Sequence, residues 1–563
     1  MYKKSAFSTP LNIFDSYSQQ LIGSKLAKLE DPSGWHNQFF NEITSQIDED
    51  IFSILYHGNN GRPNAPIRIL VSMLILKDGE DWTDEQLFDA CDFNILVCRA
   101  IGLNNLSDEA PCGATYYNFK ASLLNHYVET GENLLEKAFQ KTTATQIIRY
   151  NVNGKRVRMD SKLLHSNVAT GTRLSLCLSV LRKFYSALSE TDLSLLNEVC
   201  TEEDKTFFAE LIKQTVSQQT YRLNKSGTQI RLLQSGQIAN KLLQIFKGID
   251  VEDYDLVQRI WQDHFELCEQ EPSKDESGNS SIEDKIEDST PFVQLKDVKN
   301  QSGTTLQSAH DPEAAYRNKL GSKKQVVVGY VSNITETCAE AEQKEDALPL
   351  RLITDVQTEQ VTHSDDKFFI PALQNSEEVL GQKIEASLTD GAYNSVKNLE
   401  FTRNSEHPIE WFLTAIQGAE GNYDFEKIED QTYRITDRTN GRIQIATLKG
   451  KSYRIENDHS KAKYYYIRPE TIDNYFRRQQ IKEHPPNIYA LRANCEATVN
   501  QVFNNLDGAK TKYRGLFQHK IYAINRCFWT NLQRIKAQKA ILLFLAFFDH
   551  LLLPRATGRQ TQF

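Results

Sequence analysis

The sequence predicts an α/β core that is interrupted by one helical and one β insertion and preceded by an all-α N-terminal domain. Three observations lead to this architecture. Residues 1–145 show helical spacing of apolar side chains, strand-like runs recur between 325 and 416, and helical spacing returns after 487. Strands interleaved with helices are typical of a sheet that has helices packed on it.

Two helix starts are well marked in the N-terminal segment. Residues 65–76 (APIRILVSMLIL) are apolar around most of the circumference and follow prolines, which predicts a buried helix with proline at its first turn. Thr83 precedes two acidic residues and an apolar pattern, as a helix cap does. Short helices separated by small turns are compatible with a helix-turn-helix DNA reader and equally with any other helical bundle.

The pattern changes at residues 147–159, where two short runs flank an Asn-Gly pair. This arrangement predicts a β hairpin whose second strand ends in Asp160. Residues 175–268 contain no proline and have helical spacing, so we expect a helical insertion there. Residues 269–308 are rich in serine and acidic residues, which predicts a flexible acidic linker.

Strand-like runs then return and set the remaining boundaries. They occupy residues 325–332, 350–357, 384–389 and 408–416, and a turn-rich alternating stretch follows at 422–468. The predicted division is a helical DNA-binding domain at 1–145, core at 146–174 and 309–418, helical insertion at 175–268, linker at 269–308, β insertion at 419–470, and core and C-terminal helices at 471–563.

Bulk composition is that of an ordinary globular protein, with 40% hydrophobic and 25% charged residues. The first thirty residues lack the apolar stretch of a signal peptide, and no apolar run is long enough to span a bilayer. The nine cysteines form no CxxC pair and no zinc-like cluster. We therefore expect a cytoplasmic protein without a membrane partner, with free and mostly buried thiols.

The net charge of the chain is −9, but charged residues are distributed unevenly along the sequence. Residues 431–540 hold 21 lysines and arginines against 8 acidic residues, a net of +13, whereas residues 251–300 hold 5 against 14, a net of −9. So dense a basic block is typical of a surface that binds phosphate. Most charge runs are simply solvated surface, and composition alone leaves both interpretations open.

Three acidic residues occupy positions suited to metal-dependent phosphodiester chemistry. Asp160 and Asp390 each end a strand-like run, and Glu496 lies in a helical stretch on one face with Tyr489 and Arg492. Carboxylates are ligands that Mg²⁺ prefers, and two such ions can stabilise both the attacking and the leaving oxygen. An isolated aspartate after a strand is more often a turn residue, so spacing alone does not establish this triad.

Several strings, in the same order, resemble the DDE transposases of bacterial insertion sequences, which have an RNase H-like catalytic core. MDSKLLHSN resembles the first-aspartate motif and LTDGAYNS the second. Tyr489-x2-Arg492-x3-Glu496 resembles the third signature, and residues 35–125 resemble the N-terminal domain of the family. The family's third signature continues to a lysine, at whose position this chain has Phe503.

The resemblance implies a five-stranded RNase H-like sheet with Asp160 on the first strand, Asp390 on the fourth and Glu496 on a helix. It implies that these three residues bind two Mg²⁺ ions, with Mn²⁺ as a substitute, and that a homodimer cuts and joins double-stranded DNA at terminal inverted repeats and target sites. The expected DNA contacts are Tyr489, Arg492, Lys162, Lys510, Lys512 and Arg514.

Two other functions remain compatible with the sequence. One is a transposase-derived DNA-binding protein that no longer cuts, which the complete triad argues against. The other is an RNase H-like nuclease without strand transfer, which would use the same residues. Among lesser features, His165 could touch DNA or assist proton transfer, although such a histidine is more often simply a polar neighbour of the site. Asp365-Asp366 is an expected solvated turn, and Tyr464–Tyr466 are either an aromatic strand or a surface that stacks on unpaired bases.

Overall fold

The computed structural model describes residues 1–58, 62–169, 171–268, 292–297, 302–319, 325–338, 349–404, 406–416, 418–457, 462–484 and 486–552. Across these ranges the chain is mixed α/β, with a helical N-terminal region followed by a mixed sheet. None of the helices in these ranges has the length and apolarity required to cross a bilayer. All nine cysteines are free and seven are buried, as expected.

The described N-terminal region is built from eight α-helices. They are α1 (Tyr17–Gln20), α2 (Gly23–Glu30), α3 (Trp35–Glu42), α4 (Ile67–Gly79), α5 (Asp84–Phe93), α6 (Ile95–Ala100), α7 (Gly113–Thr130) and α8 (Leu134–Arg149). Pro66 stands at the N-cap of α4, and the Thr83 side chain accepts a hydrogen bond of 3.2 Å from the backbone N–H of Gln86. Both predicted helix starts are therefore confirmed.

The C-terminal helix α19 (Leu516–Leu552) completes the core of this region by packing against α4 and α8. The rings of Phe139 and Phe528 meet edge to face with centroids 5.1 Å apart. Arg526 donates to the backbone carbonyls of Asp78 and Gly79 at the end of α4. The N-terminal helices therefore share their hydrophobic core with the far end of the chain and do not close it alone.

The predicted hairpin at 147–159 is wrong in its first half. Residues 147–149 are the last turn of α8, and a turn and loop lead to β1 (Arg156–His165). Ile147 and Val152 are buried in one cluster with Val157 and Met159 of β1. Burial explains why the run is apolar, and a run this short does not distinguish a helix end from a strand.

The helical insertion between β1 and the next sheet strand encloses a core of its own, with Leu178, Phe184 and Phe246 fully buried. Its helices are α9 (Arg173–Ala187), α10 (Glu190–Val199), α11 (Glu202–Lys213), α12 (Val216–Thr220), α13 (Lys225–Ile245) and α14 (Tyr254–His264).

The expectation of helix up to residue 268 and of a flexible linker over 269–308 is wrong in part. Strand β2 (Phe265–Cys268) pairs antiparallel with β3 (Phe292–Leu295), so a segment of the expected linker is folded onto the insertion. Leu306, an apolar residue within the expected linker, is also buried in the insertion's core. Residues 269–291 and 298–301 of the expected linker lie outside the described residues.

The central sheet places β1 in its middle. Its other described strands are β4 (Ala315–Lys319), β5 (Gln325–Thr337), β6 (Ile353–Gln360), β7 (Ala386–Thr389) and β8 (Glu410–Leu413). β5 runs antiparallel to β1 and pairs with β4 along its first part and β6 along its second. On the other side of β1, β7 and β8 are parallel to it. Helices α15 (Phe369–Leu380) and α16 (Val396–Asn404) connect the later strands.

Residues 419–470 contain the strands expected of a β insertion. They are β9 (Tyr423–Glu429), β10 (Thr432–Asp437), β11 (Ile443–Thr447), β12 (Tyr453–Glu456) and β13 (Tyr464–Ile467). Helix α17 (Pro469–Glu483), which the sequence did not predict, packs on them through the ring of Tyr475, 5.2 Å from that of Phe425. Helix α18 (Pro486–Val502) then returns to the sheet and contacts β1.

Candidate active site

Asp160 lies in the middle of β1, because the strand continues to His165 and does not end at the aspartate as predicted. The strand pairs with β5 along its length on one side and, over residues 156–158, with β7 on the other. The Asp160 side chain is 12% exposed, and one of its oxygens accepts a 3.0 Å hydrogen bond from the backbone N–H of Ser161.

Asp390 is the residue after β7, as predicted, and its side chain caps a one-turn 3-10 helix by accepting from the backbone N–H of Ala392 at 2.8 Å. The parallel register aligns Arg158 of β1 with Leu388 of β7, so two residues further on Asp390 stands beside Asp160. Gly391 is required for close approach, since a Cβ there would lie 2.5 Å from the carbonyl oxygen of Ala415.

Helix α18 supplies Glu496 and Arg492, which are one turn apart and ion-paired with each other. Atom Nη2 of Arg492 also lies 3.2 Å from Oδ1 of Asp160 and 3.5 Å from Oδ2 of Asp390. One guanidinium group therefore contacts all three predicted carboxylates. Exposure of the side chains rises from 11% at Arg492 to 36% at Asp390 and 57% at Glu496, so the cluster opens to solvent on the Glu496 side.

Burial and like charge act together on Asp160. Burial raises the pKa of its carboxyl to about 6, the Arg492 guanidinium opposes that rise, and the neighbouring Asp390 carboxylate adds to it. For Arg492, burial disfavours the charged form, but attraction to Asp160 and the hydrogen bond to Glu496 prevail and raise its pKa. A cation at the centre of the three carboxylates therefore relieves their mutual repulsion.

The donor set consists of carboxylate oxygens, which suit Mg²⁺ or Mn²⁺. Their present arrangement surrounds a guanidinium, and within the described ranges no three His, Cys, Asp or Glu side chains form a group ready to hold a metal ion. Asp160, Asp390 and Glu496 thus suit a divalent cation by the chemistry of their oxygens, but in this arrangement Arg492 occupies the position between them.

The expected DNA contacts lie on β1, on α18 and in the segment before α19. Lys162 lies two residues beyond Asp160 and donates to the Asn500 side chain at 2.9 Å, and burial lowers its pKa. Lys510 and Arg514 are exposed and donate to the backbone carbonyls of Val168 and Asn167, whereas Lys512 is ion-paired with Asp81. Tyr489 belongs to α18, three residues before Arg492, and its side chain lies outside the described part of the structure.

Phe503, at the position of the family's lysine, is 1% exposed and lies in the large core cluster, 6.0 Å from the ring of Tyr522. A residue buried in this way packs α18 against α19 and does not face a ligand. His165 contributes through its backbone, because its carbonyl accepts from the N–H of Thr511 at 2.9 Å.

The basic block at 431–540 is partly neutralised by acidic residues from outside it. Ion pairs join Arg434 to Glu426, Arg438 to Asp424, Lys512 to Asp81, Lys520 to Glu359, Arg534 to Glu336 and Lys539 to Glu42. Sequence counts overstate the free positive charge, since they omit partners that are distant in the chain. The remaining exposed cations of the block include Lys463, Arg468 and Arg514.

A buried network behind the site was not predicted from the sequence. Glu336 of β5 is fully buried and accepts from Arg158 at 2.6 Å, from Thr498 at 2.8 Å and from Arg534 at 2.6 Å. These partners come from β1, α18 and α19, so one carboxylate ties the strand of Asp160 to the helix of Glu496. Such a network depends on long-range pairing that spacing along the chain does not reveal.

Asp365 also differs from expectation. Asp365 and Asp366 begin a one-turn 3-10 helix, but Asp365 is half-buried and accepts a 2.7 Å hydrogen bond from the side chain of Ser161. A solvated turn was therefore the wrong expectation for Asp365, because the turn folds back onto the residue that follows Asp160.

The three tyrosines at 464–466 form strand β13, and Tyr465 lines a cavity of about 650 Å³ between the β insertion and α17. Its ring stacks on that of Tyr423 with centroids 5.7 Å apart. The aromatic-strand interpretation is confirmed for these residues, and nothing in their contacts requires a nucleic-acid role.

Residues 28–122 match the family model described as "Transposase domain (DUF772)". The matched segment covers the end of α2, all of α3 to α6 and the first part of α7, and it supports a transposase role for the chain. It contains none of the three clustered carboxylates, which lie on β1, after β7 and on α18. Comparisons with curated proteins and with solved structures gave no match.

Proposed function

We propose that this protein is a DDE transposase that cuts and joins DNA ends with divalent metal ions held by Asp160, Asp390 and Glu496. The observation that carries the proposal is the single guanidinium of Arg492 in contact with all three carboxylates. Residues separated by 336 positions in sequence, from 160 to 496, meet there on three elements of the core. Chance acidic residues in turns have no reason to converge on one point.

The strand order supports an RNase H-like core. Taking β1, β5, β6, β7 and β8 as five core strands, the order across the sheet is third, second, first, fourth, fifth. The second strand is antiparallel to the first and third, while the fourth and fifth are parallel to the first. The resemblance in sequence led to the same expectation, with Asp160 on the first strand and Asp390 at the end of the fourth.

Divalent ions bound here would supply charge stabilisation to the attacking and leaving oxygens of a phosphodiester. The protein's own contribution is placement. Asp160 is held by a doubly paired strand, Asp390 by its hydrogen bond to the Ala392 backbone, and Glu496 by a helix fixed to the sheet through the Glu336 network. Arg492, once released from the carboxylates, is in position to bind a substrate phosphate with two N–H groups.

The substrates are duplex DNA ends and a target duplex, and we propose that a homodimer handles them together. The matched transposase segment is taken as part of the DNA-binding surface, together with the exposed Lys510 and Arg514. Phosphate contacts of this kind position DNA without reading its sequence.

The test is an in vitro cleavage and joining assay with the full chain, Mg²⁺ and duplexes from the DNA that flanks the gene. Asp160→Asn, Asp390→Asn and Glu496→Gln should each reduce end cleavage by at least about a thousandfold while retaining end binding. The matched control is Asp430→Asn, an exposed carboxylate of the β insertion. Full cleavage by any of the three variants contradicts the proposal, and cleavage without joining by the wild type would identify a nuclease instead.

A further inference from the structure

The turn that carries Asp390 is closed by hydrogen bonds of its own. The Asp390 carboxylate accepts from the backbone N–H of Ala392 at 2.8 Å, and the N–H of Asn394 donates to the carbonyl of Gly391 at 3.3 Å. These bonds set the shape of the turn, but they do not fix where the turn stands relative to β1. That placement depends on contacts with other elements, which the side chains of Thr389 and Asn394 make at its two ends.

Helix α17 holds the far end of the turn. The guanidinium of Arg477 donates to the side-chain carbonyl of Asn394, and the Asn394 amide N–H₂ donates to the side-chain oxygen of Asn474 at 3.2 Å. Asn474 and Arg477 are three residues apart, so they lie on one face of the helix. A donor that meets the amide oxygen and an acceptor that meets the amide nitrogen fix one orientation of the Asn394 side chain.

The near end of the turn is held through Trp411 of β8. The indole N–H of Trp411 donates to the hydroxyl oxygen of Thr389, the residue before Asp390, at 2.9 Å. The guanidinium of Arg477 lies over the Trp411 ring, 4.7 Å from its centroid, which is a cation–π distance. One side chain therefore contacts Asn394 directly and reaches Thr389 through an indole ring, so that it holds both ends of the turn.

Arg477 makes these contacts from a buried position. Its side chain is 7% exposed. Burial lowers the pKa of the guanidinium to about 10, and repulsion from Arg403 adds to the lowering, whereas attraction to Asp473 opposes it. The group is still charged at neutral pH, and burying a charge costs free energy that its contacts have to offset.

The opposite side of α17 packs on the β insertion. The ring of Tyr475 lies 5.2 Å from that of Phe425, and the ring of Phe476 lies 6.0 Å from that of Tyr433. At 100° per residue, both α17 rings point at least 100° away from the two side chains that hold Asn394. The helix thus has the β insertion on one side and the turn of Asp390 on the other.

We propose that Arg477 is a positioning residue for Asp390, and that α17 connects the β insertion to the active site through it. This inference rests on the proposed function, in which Asp390 binds a catalytic metal ion. Residues that orient the ligands of a metal commonly contribute about 10–100-fold to its affinity without touching it. Loss of the Arg477 guanidinium should therefore weaken metal binding while all three carboxylates remain in the chain.

The first experiment measures Mn²⁺ binding to the full-length protein by the EPR signal of the free ion. Arg477→Met keeps the length of the side chain but removes the guanidinium, and it should weaken Mn²⁺ binding about tenfold or more. Arg477→Lys should fall between Arg477→Met and the wild type, because lysine keeps the charge but lacks the planar fork. The matched control is Lys482→Gln, which removes a charge that is 57% exposed on the same helix and should leave Mn²⁺ binding unchanged.

A variant on the other side of the contact guards against a folding defect in Arg477→Met. Asn394→Ala removes the acceptor from the half-buried end of the turn and should weaken Mn²⁺ binding to a similar extent. The double variant should lose clearly less than the product of the two single losses, because both changes break the same contact. Thermal melts in EDTA report stability separately, since a purely structural role lowers the melting temperature and leaves the Mn²⁺ affinity of the folded protein unchanged.

The variant Asp390→Asn separates failure of this inference from failure of the proposed function. If Asp390→Asn loses Mn²⁺ binding while Arg477→Met and Asn394→Ala bind it as the wild type does, the positioning role is overturned and the metal site stands. Equal Mn²⁺ binding by the wild type and Asp390→Asn contradicts the proposed function itself, and the inference falls with it.

Discussion

Replacement of Arg492 by alanine tests whether its guanidinium balances the three carboxylates. The variant leaves Asp160, Asp390 and Glu496 close together without their common cation. We expect Arg492→Ala to be less stable than the wild type in EDTA and to regain much of that stability when Mg²⁺ is added, because a divalent ion can then occupy the space between the carboxylates.

The magnitude follows from burial. Removing one partner of a buried ion pair costs about 3–5 kcal/mol. Asp160 is mostly buried, but Asp390 and Glu496 are 36% and 57% exposed, so water screens much of the repulsion that remains. We therefore expect a loss of about 2 kcal/mol, which lowers the melting temperature by about 4–8 °C if the cooperative unit spans 150–250 residues.

The assay is thermal unfolding in EDTA and in millimolar Mg²⁺, with Arg403→Ala as the control. Arg403 is 55% exposed and 4.0 Å from Asp473, a pair whose loss should change stability by less than about 1 kcal/mol. If Arg492→Ala has the same melting temperature as the wild type in EDTA, or if Mg²⁺ stabilises both proteins equally, the guanidinium does not neutralise the charge of the three carboxylates.

Three further predictions concern the fold around the site. Burial raises the pKa of Asp355 to about 7, so between about pH 4 and pH 7 the folded protein holds a proton that the unfolded chain releases. This group's contribution to stability therefore falls as pH rises through that window, by about 1.4 kcal/mol per pH unit, and Asp355→Asn should remove that part of the pH dependence in denaturant titrations. Gly79→Ala should destabilise the folded protein by about 1–3 kcal/mol in thermal melts, because the alanine Cβ would lie 2.4 Å from the Trp529 ring. Alanine favours helices, so a stabilised variant would contradict that packing. Phe503→Lys should yield little folded protein, because it places a charge in the core. Phe503→Leu should fold and lose about 1–2 kcal/mol of stability. Normal solubility of Phe503→Lys would show that this side chain reaches solvent.

Local patterns predicted much of the architecture. The helix starts at Pro66 and Thr83 depend on neighbouring residues alone, and the structure has both. The strand-like runs at 350–357 and 384–389 contain most of β6 and all of β7, respectively, for the same reason. Short apolar runs were less reliable, as residues 147–152 show, because burial at a helix end and burial in a strand leave the same composition.

Features created by distant pairing could not be predicted in this way. The spacing of residues identified Asp160, Asp390 and Glu496 as candidates, and the family resemblance assigned them to its three motifs. Neither indicated that Arg492 would contact all three carboxylates. The Glu336 network was missed because its partners are distant in sequence. The basic block was overestimated for the same reason, since acids such as Glu42 and Glu359 neutralise lysines that follow them by more than 150 residues.

The most direct test of the central claim is a change of metal preference at Asp390. A cysteine thiolate binds Mn²⁺ better than it binds Mg²⁺, because Mg²⁺ prefers oxygen ligands. If Asp390 binds the catalytic metal, Asp390→Cys should lose DNA end cleavage in Mg²⁺ and recover a substantial part of it in Mn²⁺, while the control Asp430→Cys behaves as the wild type in both. Wild-type cleavage by Asp390→Cys in Mg²⁺ would contradict the account, as would a loss that Mn²⁺ does not relieve.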